Sequence, residues 1–175
     1  MLLLITGKKN PILRSKNKEI KIITPNIKEL ISDMFIKMRE CKGVGIAAPQ
    51  IGKNLRLFVI EGLAFEDETR KGISKFKFEK IDKPNIKNGY AFINPIISKI
   101  SKPYSDEIEG CLSITKKRGF VKRARRVNIS AKNLKGQNFK LHASGFLARV
   151  LQHEYDHLQG ILISDKWKKI KIKKQ

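Results

Sequence analysis

The chain has 175 residues, 41% hydrophobic and 31% charged, which suits one domain around a single core. Lys and Arg number 38 against 16 Asp and Glu, a formal charge of +22 that attracts polyanions at low salt. The lysines are spread through an Ile- and Asn-rich chain, the pattern of a composition bias, with ribosomal RNA contact as the second reading. Two cysteines exclude a disulfide framework, and no apolar run approaches the ~20 residues of a membrane span. The expectation is a reduced, cytoplasmic protein.

Residues 1–5 are apolar, too short a run for a signal segment, and read as a buried first strand. Thr24-Pro25 opens a helix, because threonine supplies a capping oxygen and proline is tolerated at the first helical position. Ile27, Leu30, Ile31, Met34, Phe35 and Met38 recur at helical spacing and predict one buried face. Gly43 and Gly45 end this helix, and Cys41 near its end reads as a packed thiol. Residues 55–60 predict a largely buried strand. Residues 61–90 are charged, contain Pro84 and lack periodicity, so they predict a long surface insertion. Residues 90–97 predict a strand broken at Pro95, and 121–131 with 137–142 predict a hairpin turning at 133–136. Ser144 caps a second helix carrying Phe146, Leu147, Val150, Leu151, His153, His157 and Leu158, which Gly160 stops. Residues 166–175 form a short basic tail around Trp167. Strands followed by a central helix predict an α+β fold, with mixed or antiparallel sheets around that helix.

Three segments carry chemistry. In His153-Glu154-Tyr155-Asp156-His157 the histidines stand at i and i+4, so both imidazoles reach one cation on the same helix face. Glu154 then projects beside it as a general base. Two ligands leave a catalytic site incomplete, and no histidine follows; the choices are upstream acids such as Glu107 and Glu109, or the thiolate of Cys111. Cys111 lies in Glu109-Gly110-Cys111-Leu112-Ser113, where Gly110 permits a tight turn and a divalent metal would deprotonate the thiol. The third segment, Gly43-Val44-Gly45-Ile46-Ala47-Ala48-Pro49-Gln50, is dense in small residues that let a substrate backbone approach, and its Gln50 amide can donate to an oxyanion. It lacks the spacing of a phosphate-binding loop.

In this order the three segments resemble the motifs of the peptide deformylase family, and the likeness runs from about Pro11 to about Trp167. The resemblance implies that Cys111, His153 and His157 hold one divalent ion, usually Fe²⁺, with Zn²⁺, Ni²⁺ or Co²⁺ able to replace it. It implies that Glu154 is the base, and that Gln50 and the Leu112 backbone N–H stabilise the oxyanion as formate leaves a formyl-Met nascent polypeptide. Phe146, Arg149 and Val150 share the His153 face and are the expected methionine pocket, the Arg149 guanidinium reaching solvent. The peptide backbone is expected along Gly43, Val44, Gly45 and Ile46 and after Cys111. Glu109, Gly110, Arg118 and Arg123 are expected near the site. The chain departs from the pattern at Thr115 and Lys122, where proline is common, and in its short tail, which leaves ribosome contact to charge alone. A monomer with no membrane association is expected.

Three rivals stand beside this reading. Another zinc peptidase would need neither Cys111 nor Gln50. An RNA-binding module with a structural metal would need four protein ligands, and His142 is the one spare histidine. A catalytically weak deformylase-like paralogue would not need to retain every ligand and the base.

Overall fold

The computed structural model describes residues 2–66, 75–81, 86–100 and 104–167. Five helices, α1 (Pro11–Arg14), α2 (Pro25–Glu40), α3 (Leu63–Glu66), α4 (Gly145–Leu158) and α5 (Ile163–Lys166), accompany eight strands among these residues. The strands are β1 (Gly45–Ala47), β2 (Leu57–Ile60), β3 (Phe76–Glu79), β4 (Tyr90–Ile100), β5 (Tyr104–Cys111), β6 (Ile114–Ala124), β7 (Arg126–Lys132) and β8 (Asn138–Ser144). Six of them form one antiparallel sheet in the order β1-β2-β4-β7-β8-β3, while β5 and β6 pair as a separate hairpin. The fold is α+β, and both sheets are antiparallel.

The long helices form where the spacing predicts. Thr24 Oγ1 accepts from the Ile27 N–H, and Ile31, Met34 and Met38 bury one face of α2. Strand β2 is apolar at every position because both of its faces are covered. Leu57 and Val59 pack with α2, whereas Phe58 and Ile60 join Leu147, Ala148 and Leu151 of α4. A third cluster of Leu13, Ile114, Val121, Leu162 and Ile163 seats the β5–β6 hairpin on α1 and α5. Helix α4 thus lies between the large sheet and the hairpin, and this places its histidine face.

Several expectations are corrected. Residues 2–5 form no strand: Leu3 is exposed, and Ile5 N–H donates to the Gln50 carbonyl as an isolated contact. The segment 61–90 is not merely a surface insertion. Its Phe65 is buried, and β3 extends the sheet through β8, so that Phe78 stacks on Phe65 and meets Tyr90 edge-on and Phe139 at a tilt. The alternation of Lys75, Phe76, Lys77 and Phe78 is a strand signal that the surrounding charge concealed. Strand β4 runs past Pro95 to Ile100, because a register shift between Ile93 and Ile96 absorbs the missing donor. Beside it Asn94, at φ 49°, exchanges hydrogen bonds with the Ile20 backbone. Residues 121–131 are split between β6 and β7, which belong to different sheets. Ser144 sits at the α4 cap, but its hydroxyl bonds Lys75 rather than the helix. The tail beyond Trp167 lies outside the described residues.

Candidate metal centre

Residues four apart on α4 face one direction, and the imidazoles of His153 and His157 stand with ring centroids 5.1 Å apart. Cys111 reaches them from the end of β5, where the register with β6 shifts between Gly110 and Cys111. Its Sγ lies 3.4 Å from His157 Nε2, and the three potential ligand atoms of Cys111, His153 and His157 lie within 4.8 Å of one another. One thiolate and two imidazoles fit a single divalent transition metal, with one position left open.

Glu109, two residues before the cysteine, orients this set. Its Oε2 accepts from His153 Nδ1 at 3.0 Å, which leaves Nε2 for a cation. Arg123 donates to both Glu109 oxygens at 2.9 Å, and Arg149 Nη1 adds a bond of 2.7 Å. Burial opposes the charge on Glu109, but hydrogen bonds from His153 and Arg123 outweigh it and hold its pKa well below the usual carboxylate range. Arg123 also pairs with Asp156, whose carboxylate meets Lys166 Nζ at 2.7 Å. The ion pairs therefore connect β5, β6, α4 and α5. Burial lowers both histidine pKa values, yet hydrogen bonds to Cys111 and Glu109 raise His153 to about 10. The same burial and the His153 charge keep His157 low.

Glu154 is 3% exposed, and its Oε2 has no hydrogen-bond partner. Burial pushes its carboxyl up to about 7, the range of a general base at neutral pH. A Cβ on Gly45 would stand 2.6 Å from Glu154 Oε1, so glycine there makes room for the carboxylate. The Gln50 Oε1 accepts from Ala47 N–H at 2.8 Å, which turns Nε2 toward Ser113 Oγ at 3.2 Å and Cys111 Sγ at 3.8 Å.

Residues 2–173 match the sequence model of the polypeptide deformylase family. A peptide deformylase of Dictyoglomus thermophilum is 40% identical over 157 residues, covering 90% of this chain and 87% of that one. Peptide deformylase 1 of Clostridium perfringens is 39% identical over 154 residues, covering 88% and 90%. The crystal structure of peptide deformylase from Thermotoga maritima superposes with a TM-score of 0.79 at 30% identity, covering 97% of this chain and 99% of that one. The chain belongs to the polypeptide deformylase family. It is a metal-dependent hydrolase that removes the formyl group from the N-terminal formyl-methionine of nascent polypeptides.

In this deformylase Cys111 and His153 line a cleft of about 770 Å³, while His157 lies behind them. Gly43, Val44, Gly45, Gln50, Glu109, Gly110, Leu112, Arg118, Phe146, Arg149, Val150 and Glu154 of the expected set all line it. Ile46 does not: its side chain is buried in the core that faces α2. Arg149 is corrected more sharply. Its guanidinium is buried, bonded to Glu109, the Val121 carbonyl and Ser105, rather than solvated. Glu109 is likewise fully engaged by protein donors. The sequence reading missed Asp156 as the second partner of Arg123, and it missed Gln152, whose amide bonds the Ala124 backbone N–H and carbonyl. An acid inside the histidine pair was a visible signal for Asp156; nothing local marked Gln152.

Proposed function

We propose that Cys111 Sγ and the Nε2 atoms of His153 and His157 hold one divalent cation, Fe²⁺ natively, with Zn²⁺, Ni²⁺ or Co²⁺ able to stand in. Bound there, the cation would supply Lewis acidity toward a water and the formyl oxygen. Glu154 takes a proton from the attacking water and passes it to the leaving amine. Its unpartnered buried oxygen supports this role. Gln50 Nε2 and the Leu112 N–H donate to the formyl oxygen as it gains charge. Phe146, Val150 and the Arg149 stem wall the methionine pocket.

Strand β1 ends the large sheet among the described residues, so its outer edge can take the nascent chain in extended form. Such pairing reads backbone at positions 43–46 and leaves later side chains to the cleft rim. Gly110 and Arg118 border the same path, and Glu109 supports it indirectly through His153.

The chain acts as one catalytic domain over residues 1–175, in the cytoplasm and as a monomer. Its +22 charge supports contact with the ribosome surface. No helix among the described residues is long and apolar enough to cross a membrane.

The observation that carries the site assignment is the meeting of one sulfur and two imidazole nitrogens within 4.8 Å beside Glu154. Metal analysis of anaerobically purified protein, with formate release from a formyl-Met peptide in the same sample, tests it. One equivalent of metal lost on Cys111→Ala is expected. Full metal content in that variant would remove Cys111 from the site.

A further inference from the structure

The cleft changes character from floor to rim. Gln50, Cys111, His153 and Glu154 form the floor, whereas Lys42, Lys116, Lys117 and Arg118 line the mouth with exposed side chains. None of these four cations has an ion-pair or hydrogen-bond partner among the described residues. The carboxylates that share the lining do not balance them. Glu109 is taken up by Arg123, Arg149 and His153, Glu154 is buried at the floor, and Glu107 lies 3.3 Å from Arg149 Nε. Three of the cations, Lys116, Lys117 and Arg118, stand on β6 and one, Lys42, follows α2, so positive charge flanks the mouth from opposite segments.

A chain extended from the methionine pocket advances ~3.4 Å per residue, so its second and third residues stand roughly 3 and 7 Å along from the first, on the way to the rim. We propose that Lys42, Lys116 and Lys117, with Arg118, make the enzyme favour formyl-Met chains that carry Asp or Glu at the positions directly after methionine. The inference rests on the methionine pocket assigned above. The charge acts locally: a pair at the mouth is separated by less than the ~8–10 Å Debye length, while lysines elsewhere on the surface are screened.

The test compares three C-terminally amidated peptides, formyl-Met-Asp-Asp, formyl-Met-Asn-Asn and formyl-Met-Lys-Lys, by kcat/KM on the metal-loaded enzyme. At about twofold per exposed ion pair, the acidic peptide should exceed its isosteric neutral twin roughly fourfold, and the basic one should fall below it by a similar factor. Salt at ~0.5 M should bring the three together. The K42Q/K116Q/K117Q variant should lose most of this ratio, whereas K21Q/K28Q/K132Q, changed in a separate surface groove, should keep it. Equal rates on all three peptides, or a preference lost equally in both variants, would overturn the inference while leaving deformylation intact. No turnover of the neutral peptide would overturn the site assignment and this inference with it.

Discussion

Replacing Glu109 with glutamine tests the buried network at its most connected point. The carboxylate is 7% exposed and accepts four bonds, from Arg123 Nε and Nη2, Arg149 Nη1 and His153 Nδ1. A glutamine keeps one acceptor oxygen and turns an N–H₂ toward the donors at the other, so two of the four bonds are lost whichever way the amide lies. Hydrogen bonds to charged groups contribute about 1.5–3 kcal/mol each, which puts the loss near ~4 kcal/mol. Arg123 retains Asp156, and Arg149 retains Val121 and Ser105, so neither guanidinium is orphaned. For a chain of this size each kcal/mol moves Tm by ~2–4 °C, which predicts a fall of roughly 8–16 °C. Thermal unfolding of both proteins in chelator at pH 7 isolates this from metal loss. Separately, wherever the amide turns its N–H₂ toward His153, losing that acceptor should weaken metal binding about 10–100-fold in a competition titration. A Tm change under about 3 °C together with unchanged metal affinity would refute the argument.

Gly45→Ala should place a methyl 2.6 Å from Glu154 Oε1 and displace the base, lowering kcat by about 100-fold with metal content intact; a loss below threefold would contradict the contact. Asp165 accepts from Arg14 and from the Leu162 N–H, and the Arg14 hydrogen bond chiefly lowers its pKa. A depressed carboxylate pKa contributes stability that is fully present above the unfolded value and lost as pH falls through the folded one. Asp165→Asn should therefore cost about 1 kcal/mol at pH 7, after allowance for the exposure of the pair, and progressively less as acid titrates the folded carboxylate, as denaturant titrations at pH 7 and in strong acid would show. Chelation should abolish formate release and lower Tm by about 6–12 °C, since a cation held ~100-fold above its Kd stabilises by about 3 kcal/mol; readdition of Fe²⁺ or Zn²⁺ should restore both.

Where a signal is local, the chain carried it openly. The Thr24-Pro25 start, the apolar face of α2 and the i, i+4 histidines of α4 each depend on residues within a turn or two of one another. Strand β2 was equally plain, because an unbroken apolar run needs no partner to be recognised. Residues 61–90 were not, because Phe65 and Phe78 acquire meaning only against Tyr90 and Phe139. The division of 121–131 was hidden for the same reason: only pairing assigns β6 to one sheet and β7 to another across the corner at Arg125.

By itself the sequence determined the chemistry available: a thiol, two imidazoles at helical spacing, a carboxylate between them and a glutamine upstream. Those depend on residue type and local geometry. Tertiary structure alone decided how the charges are used. It buried the Arg149 guanidinium, set Glu109 behind His153 and filled the space at Gly45 with Glu154. A long side chain can end in water or in an ion pair with equal local preference, and the choice is made by whichever acid the fold brings within reach.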